Sequence, residues 1–133
     1  MAIAGHGVDM VEIDRIAGLL QRHGEHFLQR CFTSAERTYC GGHHTPAIHL
    51  AGRFCVKEAV AKALGTGFRG TMAWTDISVE SDSLGKPQLV LAGKTAELAT
   101  VRGIIRWHIS ISHSRLHAIA SVIAEDALPA ALA

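Results

Sequence analysis

A predominant charge is missing from this sequence. Thirteen Lys and Arg residues stand against twelve Asp and Glu, for a formal net charge of +1. No strong overall basic field exists to gather a polyanion, so nucleic acid is not an expected partner. An acidic partner has to be met by a local patch. Long apolar runs are missing too. No stretch approaches the ~20 residues of a membrane-spanning helix, and Met1 to His6 lacks the basic region and apolar run of a secretory signal. Cys31, Cys40 and Cys55 are an odd number without framework spacing, which suits reduced thiols rather than disulfides. A soluble, cytoplasmic protein with no membrane partner is the expectation. Internal repeats and dividing linkers are also lacking, so residues 1–133 read as one domain.

Apolar residues, by contrast, are plentiful: 48% against 19% charged. For a domain this small, part of that supply can be buried between subunits. Ile3 to Val11 reads as a short buried strand. Gly5 and Gly7 would admit a second backbone, and Asp9 sits near its end. Glu12 to His23 carries a helical apolar stripe from Ile13 to Leu20, with Arg15 and Arg22 on its polar side and Gly24 as its stop. Thr33 and Glu36 have capping-box spacing, which starts a helix near Ser34 that ends by Gly41. Thr45 and Pro46 open a long central helix, closed at Leu64 by Gly65. Trp74 to Glu80 and Gln88 to Leu91 read as strands joined by turn chemistry from Asp82 to Pro87. Lys94 to Val101 reads as a short helix stopped at Gly103. Ile104 to Ser112 alternates, and Ala118 to Ala124, apolar on both sides, reads as a central strand. From Asp126 the Ala-rich tail reads as loosely ordered. The fold class is α+β, an antiparallel sheet packed around the long central helix.

Three constellations carry chemical content. The run Gly65 to Gly70 matches G-x-G-x-x-G but closes a helix instead of opening one, so it is no dinucleotide fingerprint. Its glycines still offer backbone amides to a phosphate. Cys40, His43, His44 and His49 have loosely zinc-like spacing without a second cysteine pair, and read as loop residues. The third set is Asp9, Glu58, Lys62, Arg53 and His113. Two carboxylates without thiolate or imidazole partners suit a hard ion such as Mg²⁺, and Arg and Lys suit phosphate oxygens. Phosphoryl-type chemistry follows if Asp9 and Glu58 converge. The bland alternatives are a capping role for Asp9, a surface pair between Glu58 and Lys62, and a merely solvated face bearing Arg15 and Arg22.

Four motifs in order resemble the holo-acyl-carrier-protein synthase type of phosphopantetheinyl transferase. They are Gly5 to Ile16, Arg30 to Glu36, Ala51 to Gly67 and Trp107 to Ser114, with Gly85, Lys86 and Pro87 fitting the family's turn. The resemblance implies transfer of the 4'-phosphopantetheine arm from coenzyme A to a serine of apo-acyl carrier protein, in support of fatty acid biosynthesis. Adenosine 3',5'-bisphosphate leaves. It implies Mg²⁺ on Asp9 and Glu58, and Lys62 on phosphate and leaving group. Coenzyme A contacts fall to Arg53, Gly65, Thr66, Gly67, His113 and Lys62, and carrier docking to Arg15 and Arg22. A homotrimer with active sites between subunits is implied as well. Whether Glu58 or a metal-ordered water takes the serine proton stays open, and Lys57 has no role. Two other classes stand beside this reading: another Mg²⁺-dependent phosphate enzyme, such as a nucleotide hydrolase, and a non-catalytic carrier-binding relative.

Overall fold

A computed structural model of the chain describes residues 1–67 and 72–127. Its axis is helix α3, Pro46–Leu64, with Thr45 at the N-cap, Pro46 in the first turn and Gly65 left-handed at the C-cap. Twelve of its nineteen residues are buried, including every position from Leu50 to Lys57, so packing surrounds it instead of lining one stripe. Around it lie strand β1 (Ala2–Glu12), helices α1 (Ile13–Cys31) and α2 (Ser34–Gly41), strands β2 (Ile77–Ser81) and β3 (Pro87–Leu91), helix α4 (Gly93–Val101), and strands β4 (Ile104–His113) and β5 (His117–Asp126).

The α+β expectation holds, with the antiparallel strands divided into two sheets. One has the order β1-β5-β4, and the other is the β2-β3 hairpin. The turn before β3 works as its residues suggest: Asp82 Oδ1 accepts from the amides of Leu84 at 2.8 Å and Lys86 at 2.9 Å. As expected, β5 is central. Its inward Ala118, Ala120, Val122 and Ala124 are at most 1% exposed, and small side chains there let α3 approach the sheet.

Glycine makes the same approach possible on β1. A Cβ on Gly5 would strike the Ala63 carbonyl, and one on Gly7 the Ala59 carbonyl. Strand β1 thus runs antiparallel to α3, descending from Ala63 toward Cys55. Gly7→Ala is expected to destabilise the fold by ~1–3 kcal/mol, because two backbones must separate. A urea titration matching the wild type would contradict that contact.

Four readings need correction. Strand β1 is neither short nor buried: it is an eleven-residue sheet edge with only Gly7 and Val11 buried. Gly24 breaks a helix without ending the helical segment, since α1 continues to Cys31 past a residue with φ +48° and ψ −126°. Phe27 and Cys31 supply the apolar contacts that extend it. Trp74–Asp76 is a 3₁₀ turn ahead of β2, not strand, held by Ala73 N–H donating to the Asp76 carboxylate at 3.3 Å. Asp126 still belongs to β5. The rest of the expected tail beyond Ala127, and Phe68 to Gly70 of the glycine-rich run, lie outside the described residues.

Candidate active site between strand β1 and the central helix

The register of β1 on α3 decides where Asp9 goes. With Gly7 against Ala59, the inward Asp9 comes to the level of Cys55, one turn further down the helix. The Cys55 thiol records this neighbour: burial pushes it up to about 12, and the charge and hydrogen bonding of Asp9 push in the same direction. On the adjoining face of α3, Lys62 Nζ donates to Asp9 Oδ1 and to the Val8 carbonyl, both at 3.0 Å. Its side chain is 53% exposed and that of Asp9 only 18%.

Glu58 completes the group. Burial raises its pKa above the usual carboxylate value, the negative charge of Asp9 raises it further, and Lys62 and Arg15 oppose the shift. Asp9, Glu58, Lys62 and Arg15 therefore share one electrostatic neighbourhood, assembled from a strand, the helix start after it, and a helix forty residues on. The surface-pair alternative for Glu58 and Lys62 is corrected: the partner of Lys62 is Asp9. Arg15 is also more than a solvated charge. Its guanidinium lies 5.8 Å from the Phe54 ring centroid, and Phe54 stacks on Trp74 at 4.9 Å. Arg22, exposed, folds back over Gly18 on the same helix face.

Arg53 and His113 do not join this group. Arg53 is five residues from Glu58, roughly 140° around the helix. It stacks on Tyr39 at 4.3 Å and donates to the His49 carbonyl at 3.4 Å, while its buried Nε has no partner. His113 ends β4, at the sheet edge opposite β1, so two strand spacings, roughly 10 Å, separate those edges. His113 instead lies near His49 together with Arg53 and His43: burial first, then the electrostatic influence of these neighbours, lowers the His49 pKa. The rings of His43 and His49 are 3.9 Å apart. Cys40 lies buried with its thiol raised to about 11, chiefly by desolvation. The reading of Cys40, His43, His44 and His49 as loop residues is corrected in part: Cys40 lies in α2 and His49 in α3, and only His43 and His44 fall between the two helices.

The Gly65 to Gly67 loop corrects another expectation. Its amides are not free for a phosphate: Gly65 N–H donates to Lys62 O at 3.0 Å, and Thr66 and Gly67 N–H donate to Ala61 O at 3.2 and 3.4 Å. They cap the helix. The Thr66 hydroxyl donates to Met72 Sδ at 3.0 Å.

Lys57, without a role in the sequence, is a buried strut. Its Nζ is 2.7 Å from Glu36 Oε1, with both side chains 0% exposed, and it also donates to the carbonyls of Trp74 and Ile77. The other Glu36 oxygen accepts from Val79 N–H at 2.9 Å. Glu36 closes its capping box with Thr33 at the same time. The capping box was visible as a spacing; its second task was not.

Residues 5–121 match the family model described as the 4'-phosphopantetheinyl transferase superfamily. Over 125 residues the chain is 47% identical to the holo-[acyl-carrier-protein] synthase of Edwardsiella ictaluri, covering 94% of this chain and 99% of that protein. Among solved structures, the holo-[acyl-carrier-protein] synthase of Neisseria meningitidis superposes with a TM-score of 0.86 at 35% identity, over 94% of this chain and 100% of the other. The Bacillus anthracis synthase, solved in complex with CoA (3',5'-ADP), gives 0.77 at 35% identity, over 94% and 98%.

Proposed function

The chain belongs to the 4'-phosphopantetheinyl transferase superfamily as a holo-[acyl-carrier-protein] synthase-type enzyme, and from there we propose how its residues perform the transfer. A serine hydroxyl of apo-acyl carrier protein attacks the β-phosphate of coenzyme A. The 4'-phosphopantetheine arm moves to the serine oxygen, and adenosine 3',5'-bisphosphate departs. The setting is the cytoplasm, in support of fatty acid biosynthesis. No helix of the described residues is long and apolar enough to cross a membrane.

The convergence of Asp9, Glu58 and Lys62 carries this reading. Two carboxylates within each other's electrostatic reach, one already holding an ammonium at 3.0 Å, form a place that attracts cations. Mg²⁺ fits: it takes oxygen donors, needs only one or two carboxylates, and leaves positions for phosphate oxygens. Asp9 and Glu58 would hold it, and when bound it neutralises charge on the reacting phosphates. Lys62, half exposed on a flexible stem, swings from Asp9 to a phosphate oxygen and stabilises the leaving group. Arg15, beside Glu58 at the start of α1, meets an acidic carrier where its serine must enter, and Arg22 extends that surface by two turns.

Arg53, His113 and the Gly65 to Gly67 loop are read as coenzyme A contacts. Since Arg53 and His113 lie away from Asp9 and Glu58 in one chain, a neighbouring copy would supply them. This favours a homotrimer with shared sites. The outward sheet face supports that reading, with Val8 47%, Met10 62% and Ile119 39% exposed.

The test is the intact mass of a cognate apo-carrier protein incubated with the protein, coenzyme A and Mg²⁺. A gain of one phosphopantetheine, abolished by chelator, is expected. An unchanged carrier mass would sink the reading, and phosphate or nucleotide release without any carrier would point to a hydrolase.

A further inference from the structure

The C-terminal end of α3 is an unpromising place for a nucleotide. A helix ends in carbonyls without intrahelical partners and in roughly half a negative charge, which repels phosphate. Here the Ala61 and Lys62 carbonyls are satisfied by the amides of Gly65, Thr66 and Gly67. Those three amides are thereby turned inward, leaving the loop no backbone donor with which to offset the repulsion. The Leu64 carbonyl takes a different partner: Arg102 Nη1, reaching across from the end of α4.

Arg102 is held where it can do this. It is the C-cap of α4, its N–H donating to Leu98 O at 3.1 Å, and Gly103 follows with φ +73° to turn the chain into β4. Apart from Lys94 with Glu97, α4 carries no ion pair, and no carboxylate among the described residues pairs with Arg102. Its charge is therefore uncompensated beside the helix end. Among the described residues, Lys62 on the last turns of α3 is engaged on Asp9.

We propose that Arg102 is a positioning residue for the anionic co-substrate: it ties the Gly65 to Gly67 loop to α4 and cancels the negative end of α3, so that a nucleotide phosphate can lie against the loop. This rests on the reading above that coenzyme A binds there. Arg102 touches no reacting atom in this scheme, so it acts on binding and not on the chemical step.

The experiment is coenzyme A saturation of carrier transfer by the full chain, comparing wild type, Arg102→Gln and Arg102→Lys. Arg102→Gln is expected to raise KM for coenzyme A about fivefold, the size of a helix-end charge effect, with kcat within about twofold. Arg102→Lys keeps the charge and should recover most of the affinity. Added salt should raise the wild-type KM more steeply than that of Arg102→Gln. A KM unchanged in Arg102→Gln overturns the proposal. So does a lower kcat at constant KM, the signature of a structural role that merely reduces the folded fraction. If Arg102→Gln does not fold, Arg102→Lys decides: a folded Lys variant whose KM for coenzyme A still rises more than about fivefold overturns it as well. Absence of transfer by the wild type itself would defeat the functional reading, and this inference with it.

Discussion

Asp9→Ala and Glu58→Ala each lose at least about a hundredfold in the rate of carrier modification, on the scale of removing one preorganised charge-stabilising group. Both keep the wild-type fold, because Asp9 and Glu58 contribute no buried pair to it. The stronger check is physical. In chelator, Glu58 is partly buried, and its pKa is raised above the usual 4.5 first by desolvation and then by the charge of Asp9. The folded protein therefore keeps this proton to a higher pH than the unfolded chain. Stability from the group is full below the unfolded pKa and is lost as pH rises through the folded one. At neutral pH without metal, Glu58→Gln is expected to melt higher than the wild type. Mg²⁺ should reverse the order, raising the wild-type midpoint by mass action while leaving Glu58→Gln and Asp9→Asn nearly unmoved. Equal stabilisation of a variant and the wild type by Mg²⁺ removes that residue from the metal site.

Glu36→Ala is expected to cost ~3–5 kcal/mol, the scale for stranding one partner of a buried ion pair. That is a large part of the ~5–15 kcal/mol that keeps a typical domain folded. Three losses coincide: Lys57 Nζ keeps two carbonyls but no counter-charge, Val79 N–H loses its acceptor, and α2 loses its capping box. Desolvation already holds the Lys57 pKa below the usual 10.5, with Glu36 pulling it back up. Without Glu36 the shift deepens. The unfolded chain then binds the proton that the folded one sheds, and stability of Glu36→Ala should climb with pH, starting lower on the scale than in the wild type. Replacing both partners, Glu36→Leu with Lys57→Met, is expected to be milder than Glu36→Ala alone. Urea titrations across pH decide this; a Glu36→Ala variant within about 1 kcal/mol of wild type would show that the pair behaves like an exposed one.

Local signals carried much of the fold. Thr33 with Glu36, Pro46 with Gly65, and Asp82 with Gly85 mark boundaries because caps and turns are satisfied by residues a few places away. The errors came where distant packing overrode local preference. Gly24 looked terminal, yet Phe27 and Cys31 found the core and renewed the helix. Strand β1 looked buried because its apolar content is high, whereas its outward residues face away from α3.

The sequence by itself determined which groups are available for chemistry: two carboxylates, a lysine and several arginines in four motifs, around a helix whose limits are written in its caps. Only the tertiary structure decided their partners. Side chains separated by some fifty residues meet according to strand register and helix rotation, which adjacent residues do not encode. So Lys62 went to Asp9 and not to Glu58, which is four residues away. Lys57, next to Glu58 in the chain, turned roughly 100° away into the core and onto Glu36. Arg53, on the same helix as Glu58, ended on Tyr39 and away from the carboxylates.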